Sequence, residues 1–207
     1  MPYFRKGDLN VLFLHIPKTG GTSIEYYFSE KYSIPLNGNA LYTGANTPLG
    51  TSYQHLPYKE IVKHNDLFHI DFNNLTILAV VRNPYDRILS DLFYYKLIHA
   101  KTKPPEVYDA IQTFLDHPKR YDNHPLPQYE YVVDEDGALV ESIQILKTET
   151  LKEDMKNLGF LDFNKTMNKN RAISNTLYDA YLDTKCVECI SSYYEKDFEL
   201  FGYDRKL

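Results

Sequence analysis

The sequence predicts an α/β fold, with a mostly parallel central sheet flanked by helices and a helical C-terminal half. Two observations support this fold class. An apolar segment, 10–16, passes through a glycine-containing turn into a helical pattern, and a second apolar segment, 76–82, leads directly into another helix. Strands that alternate with helices form parallel sheets. The chain of 207 residues is long enough to bury its own core, and we expect a single domain over 1–207.

The best-defined helix begins at Pro84. Asn83 is a suitable N-cap residue, and Pro84 stands at the first helical position, where its missing N–H group costs nothing. Asp86 lies in the first turn, where the helix dipole favours a negative charge. These three residues together predict a helix start directly after the second strand.

The remaining elements follow from apolar periodicity and from turn residues. We expect loops over 37–52 and around 164–175, and a stop for the last helix at Gly202. Further helices are predicted over 22–32, 57–63, 106–115, 148–158, 177–182 and 185–201, and further strands over 67–71, 129–133 and 139–146, the last two as a hairpin.

Charge, apolar runs and cysteine content argue against several classes of protein. The formal net charge of −5 argues against a general nucleic-acid binder, which needs an excess of Lys and Arg. The apolar run near the N-terminus is too short to span a bilayer, so a cytoplasmic chain is the default expectation. Cys186 and Cys189 form a lone CxxC that cannot complete a structural zinc site. The sequence does not indicate an oligomeric state.

The stretch HIPKTGGTS, 15–23, predicts an anion site. A strand that enters a helix through a glycine turn presents free N–H groups and the positive end of the helix dipole. Gly20 and Gly21 allow close approach of a ligand to the backbone, and Thr19, Thr22 and Ser23 supply hydroxyl groups. Lys18 adds a positive charge, although it precedes the glycines, the reverse of the order in a nucleotide-binding P-loop.

Arg82 indicates which kind of anion the predicted site binds. A P-loop NTPase ends a core strand in an Asp that helps to hold Mg²⁺, whereas the strand TILAVV ends here in Arg82. A guanidinium group binds phosphate directly, so we expect no metal at the site. Ser90 lies eight residues further along, but spacing alone leaves open whether it reaches an anion held by Arg82.

The two stretches HIPKTGGTS and VVRNPYDRILSDLFYY, with the tail YYEKDFELFGYD, resemble the sulfotransferases that use 3′-phosphoadenosine-5′-phosphosulfate (PAPS). The branch with the strongest resemblance is that of the carbohydrate sulfotransferases that includes the heparan and dermatan 2-O enzymes. The resemblance implies a P-loop-like fold, PAPS as sulfate donor and PAP as product. It assigns the 5′-phosphosulfate to Lys18, Thr19, Gly20, Gly21, Thr22 and Ser23, and the 3′-phosphate to Arg82 and Ser90.

The candidate catalytic residues are Lys18, for the charge that develops on the leaving phosphate, and His55, as the general base. His55 lies in a region that resembles the place of a catalytic His in related enzymes, and Glu60 is the reserve base. His15 is expected to shape the loop, whereas His124 and the other histidines have no comparable context. Asn168, Lys169 and Arg171 are candidates for contacts with the cofactor or the acceptor.

The expected acceptor is a hydroxyl group, with a glycan, a glycolipid or a small metabolite all open and a tyrosine not excluded. The 19 tyrosines of the chain offer aromatic faces on which sugar rings stack. Two other functions stay open: a P-loop-type nucleotide kinase or NTPase, and an inactive module that binds PAPS or a glycan. The first requires GxxxxGK[ST] and a strand-terminal Asp, and the chain has neither.

Overall fold

The computed structural model describes residues 2–36, 47–164 and 180–206. Its core is a four-stranded sheet in the order β1-β2-β3-β4. The strands are β1 (Tyr3–Lys6), β2 (Leu9–Leu14), β3 (Thr76–Val81) and β4 (Ile143–Lys147). β1 runs antiparallel to β2, whereas β2, β3 and β4 are parallel to one another. The predicted α/β class with a mostly parallel sheet is therefore confirmed.

Eight α-helices surround the sheet within the described ranges. They are α1 (Thr22–Tyr32), α2 (Tyr58–Lys63), α3 (Asn65–Phe68), α4 (Pro84–Tyr94), α5 (Pro104–Leu115), α6 (Leu151–Asn157), α7 (Thr184–Tyr193) and α8 (Glu195–Phe201). The start of α4 is as predicted: the Asn83 side chain accepts a hydrogen bond from the backbone N–H of Tyr85, and Pro84 is the first helical residue. No described helix is long and apolar enough to cross a membrane.

Side chains alternate across the sheet, so each face of it packs against a different set of helices and loops. Phe13, Leu78 and Val80 form one core cluster with Ile24 and Phe28 of α1. The residues next to these along β2 and β3 point to the opposite face of the sheet. There they pack in a second cluster with residues of α2 and of the segment 126–132. Burial on both faces explains why β2 and β3 read as continuous apolar runs.

Two strand predictions in the first half of the chain were wrong. The predicted strand 67–71 is helix α3, followed by His69 in the left-handed conformation (φ +51°). The side chain of Asn65 binds both the N–H and the carbonyl of Ile70, so a side chain replaces the partner strand. The edge strand β1 was missed, because it has only four residues and two of them are charged.

The predicted hairpin between 129 and 146 was also wrong. Gln128–Tyr131 forms a turn of 3-10 helix, and only Val133 and Leu139 bridge across the acidic turn. The carboxylate of Asp197 accepts hydrogen bonds from the backbone N–H groups of Gln128 and Tyr129, each at 2.8 Å. A carboxylate from α8 thus takes the donors that a partner strand would have used, and β4 pairs in parallel with β3 instead.

The predicted C-terminal helix 185–201 is two helices. α7 ends at Tyr193 and α8 begins at Glu195, and the buried Tyr194 lies between them. Residues 177–179, half of the predicted helix 177–182, lie outside the described residues, as do the candidates Asn168, Lys169 and Arg171.

Candidate functional site: an anion loop beside an imidazole cluster

The segment between β2 and α1 is a tight loop with two residues in the left-handed region, Lys18 (φ +63°) and Gly20 (φ +85°). The backbone N–H of Ser23 donates to the carbonyl of Gly20 at 3.0 Å, which turns the chain into α1. Lys18 therefore lies in the loop that leads to the N-terminal end of α1, where N–H groups and the helix dipole favour an anion.

The three predicted hydroxyl residues of the loop are placed differently. Thr19 is fully buried, and its Oγ1 donates to the carbonyl of Ile16 at 2.9 Å. Its side chain thus closes the loop, and the residue offers a ligand mainly its backbone. Thr22 is half-buried and Ser23 is buried in the first turn of α1.

Gly21 is the residue around which the loop packs most tightly. Its backbone conformation (φ −54°) is open to any residue, but a Cβ atom there would lie 2.7 Å from Cζ of Phe13 and 2.9 Å from Cδ2 of His15. Because the loop is pressed against both rings, a side chain at this position has no space. His15 therefore shapes the loop, as the sequence predicted.

Two neighbours fix the loop from outside. Thr148, directly after β4, donates from Oγ1 to the carbonyl of Thr19 at 2.5 Å and lies 3.0 Å from the carbonyl of Val81. Arg87 of α4 donates from Nε to the carbonyl of Pro17 at 3.1 Å. The loop is thus attached to the end of β4 and to α4, and through Thr148 to the end of β3.

The ammonium group of Lys18 lies 4.3 Å from the centre of the Tyr94 ring. Burial lowers the pKa of Lys18 below its usual range; the charge of Asp91 opposes this shift, and the charge of Arg82 adds to it. The ammonium group of Lys18 therefore lies against an aromatic face in a partly desolvated site, where few water molecules compete with an anion for it.

Arg82 lies at the C-terminal end of β3, beside the loop, as predicted. Its Nη1 donates to the carbonyl of Lys18 at 3.3 Å, and its backbone N–H and carbonyl are bound by the side chain of Gln128, each at 2.9 Å. Ser90 is half-buried in α4, next in sequence to Asp91. The loop, Arg82 and α4 therefore meet at one edge of the sheet, outside the carboxyl ends of its parallel strands.

An open cleft of about 740 Å³ borders this edge on the side of α6. It is lined by Gly20 and Ser23 of the loop, by Thr148, and by residues 149–153 with 156 and 157. A ligand whose phosphate occupies the loop would therefore find room on this side for the rest of its structure.

His55 ends a short 3-10 turn (Tyr53–His55) and is buried. Its Nδ1 lies 2.8 Å from Oδ2 of Asp122. Burial lowers the pKa of His55 to about 3, an effect that the bond to Asp122 only partly offsets, with His124 and His15 lowering it further. Because the carboxylate can only accept, Nδ1 carries the proton of the neutral ring, and Nε2 keeps its lone pair.

A cluster of possible metal ligands includes His55. One donor atom each from His55, Asp122 and His124 lie within 4.8 Å of one another. However, Asp122 already accepts hydrogen bonds at both oxygens, from Thr51 Oγ1, Ser52 N, Ser52 Oγ and His55. A carboxylate held by four donors fits a positioning role better than metal ligation.

His124 is a site residue that sequence analysis missed. It is buried, and its ring lies 4.9 Å from that of His55 at 84° and 5.1 Å from that of Tyr95. Its Nδ1 lies 2.6 Å from Oδ1 of Asp91. His15 and Glu25 form a third imidazole–carboxylate pair, in which Nδ1 and Oε1 lie 2.5 Å apart. Nothing in the local sequence around His124 marks it, because its partners come from segments that are distant along the chain.

Arg87 is the second residue that sequence analysis missed. Its guanidinium group is buried, with 1% of the residue exposed. Besides the carbonyl of Pro17, it binds the carbonyls of His124 at 2.6 Å and Leu126 at 2.9 Å. One side chain therefore holds both the anion loop and the segment that carries His124.

The reserve base Glu60 lies in α2, where its Oε2 is 3.7 Å from Nε2 of His64. Its side chain is 37% exposed. His55, in contrast, is buried and its ring contacts those of His15 and His124.

The glycine loop, Lys18 and Arg82 thus meet at one edge of an α/β sheet. The model of the sulfotransferase family matches residues 1–204. The chain therefore belongs to the sulfotransferase family, whose members transfer a sulfuryl group to a hydroxyl-bearing acceptor. No curated protein and no solved structure matches the chain.

Proposed function

We propose that the protein transfers the sulfuryl group of PAPS to a hydroxyl group of a carbohydrate-type acceptor. The observation that carries this proposal is the loop 15–23, in which Gly21 leaves no space for a side chain and Lys18 lies beside the helix N-terminus. PAPS supplies the sulfuryl group, which leaves the phosphate as its S–O bond breaks and a new bond forms to the acceptor oxygen.

The loop has two tasks in this proposal. The backbone N–H groups at the start of α1 bind the 5′-phosphosulfate, with Thr22 and Ser23 beside them. Lys18 moves from Tyr94 to the bridging oxygen, where negative charge develops as the bond breaks.

Arg82 and Ser90 bind the 3′-phosphate in this proposal. Arg82 is already oriented by Gln128 and by the carbonyl of Lys18, so little conformational entropy is lost when a phosphate binds. The positive charges of Lys18 and Arg82 make a metal unnecessary for the neutralisation of the two anionic groups.

His55 is the general base. Its Nε2 accepts the proton of the acceptor hydroxyl, and Asp122 holds the ring in the tautomer that leaves this nitrogen free. Burial keeps the ring neutral before the acceptor binds, since the pKa of His55 lies at about 3. The net negative charge of the chain favours a small or weakly charged glycan over a heavily sulfated polymer.

The proposal is tested by an acceptor screen with ³⁵S-labelled PAPS on the wild-type protein and on Lys18→Ala. We expect labelled product with at least one sugar acceptor. The variant should lose roughly 10²–10³-fold in kcat, the usual effect of removing a stabiliser of transition-state charge. The affinity for PAP, measured by calorimetry, should fall by less than about tenfold, because the backbone donors of the loop remain.

Lys63→Ala is the matched control, since Lys63 is an exposed lysine at the end of α2. Full activity of Lys18→Ala would contradict its role. Stabilisation by Mg²⁺-ATP without any response to PAP would instead favour a nucleotide kinase or NTPase, and PAP binding without transfer to any acceptor would favour an inactive binding module.

A further inference from the structure

Tyr94, the last residue of α4, is an exposed aromatic side chain beside the buried imidazoles. Its ring lies parallel to the buried ring of His124. The ring of Tyr95 meets it edge to face, with the centroids 5.0 Å apart, and the hydroxyl of Tyr95 donates to the carbonyl of Tyr121 at 3.0 Å. Tyr94 is therefore a supported aromatic surface, to which the proposed mechanism assigns no ligand.

Tyr94 contacts Lys18 directly and is connected to His55 through one intervening ring. The ammonium nitrogen of Lys18 lies over the Tyr94 ring, 4.3 Å from its centre. The intervening ring is that of His124, which meets the ring of His55 at 4.9 Å. In the proposed function the acceptor oxygen attacks the sulfur while His55 takes its proton, so the acceptor has to lie near both groups. A ligand on Tyr94 would lie in that region.

The sulfate donor has its own space on another side of the anion loop. The open cleft beside α6 is lined by Gly20, Ser23 and residues 148–153, 156 and 157, and Tyr94 is not among these described lining residues. In the proposed function, Lys18 leaves the ring of Tyr94 when the phosphosulfate binds. Binding of the donor therefore uncovers the aromatic surface and does not occupy it.

The charges around the imidazoles favour an uncharged acceptor. Three carboxylates lie there, each paired with one imidazole: Asp122 with His55, Asp91 with His124, and Glu25 with His15. Lys18 and Arg82 are matched by the phosphosulfate and the 3′-phosphate in the proposed function, and Arg87 is buried among backbone carbonyls. With the donor bound, a carboxylate or sulfate group on the acceptor would add to an excess of negative charge.

We propose that Tyr94 binds the acceptor, an uncharged sugar ring that stacks on the face that Lys18 covers in the free protein. This inference rests on the proposed function, in which Lys18 moves to the bridging oxygen, so the donor binds before the acceptor. The C–H groups of the sugar pack on the aromatic ring. A hydroxyl at the edge of the sugar gives its proton to Nε2 of His55, and its oxygen forms the bond to sulfur. The electrons of the broken S–O bond stay on the phosphate.

The kinetic test uses ³⁵S-labelled PAPS with the methyl pyranosides of glucose and galactose, each compared with the methyl glycoside of its uronic acid. Tyr94→Leu should raise the KM of the neutral acceptors about two- to tenfold, the usual range for an aromatic contact, and leave kcat within about twofold. Tyr94→Phe keeps the ring and should have the KM of the wild type. An unchanged acceptor KM in Tyr94→Leu would overturn the proposal.

The uronic acid glycosides test the charge of the acceptor. Each should react with a kcat/KM roughly tenfold or more below that of its neutral partner, because its carboxylate enters a region of negative charge. A uronide that reacts as well as its neutral partner would refute the choice of an uncharged acceptor. Transfer to another acceptor of the screen but to neither neutral pyranoside would refute it as well.

The order of binding is tested by NMR titration of the protein with methyl glucoside, with and without PAP. In the wild type, PAP should lower the Kd of the glucoside about two- to fivefold, since the sugar no longer has to displace Lys18 from the ring. In Tyr94→Leu this coupling should disappear. Equal affinities with and without PAP in the wild type would show that Lys18 does not cover the surface that the acceptor uses.

Tyr193→Leu is the matched control, because Tyr193 is an exposed tyrosine at the end of α7; its KM values should equal those of the wild type. PAP calorimetry shows whether the Tyr94 variants keep an intact anion loop. Weaker PAP binding in Tyr94→Leu would mean that the ring holds the donor, which contradicts the proposal. If wild-type protein does not bind PAP, the proposed function itself fails. If it transfers sulfate with an acceptor KM independent of Tyr94, only the present inference fails.

Discussion

Lys18 and Tyr94 are in direct contact: the ammonium nitrogen lies 4.3 Å from the centre of the tyrosine ring. The same ring lies parallel to that of His124, with an interplanar angle of 8° and centroids 5.7 Å apart. Tyr94, which is 54% exposed, thus joins the anion loop to the imidazole cluster. A cation that rests on an aromatic face must leave it before it can contact a phosphosulfate.

Tyr94→Leu should therefore strengthen the binding of PAP. Leucine keeps an apolar side chain against His124 but lacks the electron-rich face that attracts the ammonium group of Lys18. A cation–π contact of about 0.5–1 kcal/mol at an exposed position corresponds to a two- to fivefold decrease in the Kd of PAP, measured by calorimetry. Tyr94→Phe keeps the ring and should bind PAP as the wild type does. Weaker binding in the leucine variant would contradict this interpretation.

Gly21→Ala should distort the anion loop. The new Cβ would lie within 3 Å of Phe13 and His15, and the cost of overpacking is about 1–3 kcal/mol in the free energy of unfolding. We also expect loss of measurable PAP binding, since the loop must move away from the rings. Urea unfolding and calorimetry measure the two effects.

Gly7→Ala is the control for the glycine experiment. Gly7 has a left-handed conformation (φ +56°), and a Cβ there meets nothing within 4 Å. It should cost about 1–2 kcal/mol of stability through backbone strain and leave PAP binding unchanged. Equal PAP affinity in both glycine variants would refute the packing argument.

Arg87→Met should destabilise the protein by about 3–5 kcal/mol in the free energy of unfolding. The substitution leaves three buried carbonyls, of Pro17, His124 and Leu126, without their donor. Arg5→Met is the control: Arg5 pairs with Asp71 at the surface, with 55% of its side chain exposed, and such pairs contribute about 0–1 kcal/mol. Similar urea midpoints for the two variants would exclude the structural role of Arg87.

The free energy of unfolding should decrease as the pH falls below about 6.5, because of His55. The folded-state pKa of His55 is about 3 against an ordinary value of 6.5, so between these values the unfolded chain binds a proton that the folded chain does not. The free energy of unfolding should then fall by about 1.4 kcal/mol for each pH unit. Above pH 6.5 the ring is neutral in both states and contributes no pH dependence.

His55→Asn should flatten this dependence when urea unfolding is followed from pH 4.5 to 7.5. The carboxyl group of Asp122 does not interfere: its pKa is lowered from 3.8 in the folded state, so its stabilising contribution is lost only below that range. Identical slopes for the wild type and the variant would show that His55 is not desolvated as the structure has it.

The sequence was sufficient for features whose causes lie within a short stretch. The loop 15–23, the N-cap at Asn83 and Arg82 at a strand end each depend on neighbours a few residues away, and all are where the sequence predicted them. The strand predictions failed where a distant side chain replaced a strand partner. Asp197, for example, binds the backbone of Gln128 from 69 residues away.

The imidazole cluster had no local signal for the same reason. His124 and Asp91 are 33 residues apart, and His55 and Asp122 are 67 apart. A histidine in a proline-rich segment has the same sequence pattern whether it is solvated or buried beside a carboxylate. Only the fold brings these segments together, and Arg87 is the side chain that fastens one of them to the loop.

The attachment of the loop by Thr148 has a thermodynamic consequence for the ligand. Since the carbonyl of Thr19 is already bonded to Thr148 at the end of β4, the loop is ordered when the protein folds, and the proposed ligand PAP would meet a preformed site. Its binding should therefore show little of the unfavourable entropy that accompanies the closing of a flexible loop. The side chain of Lys18 would be the main moving part.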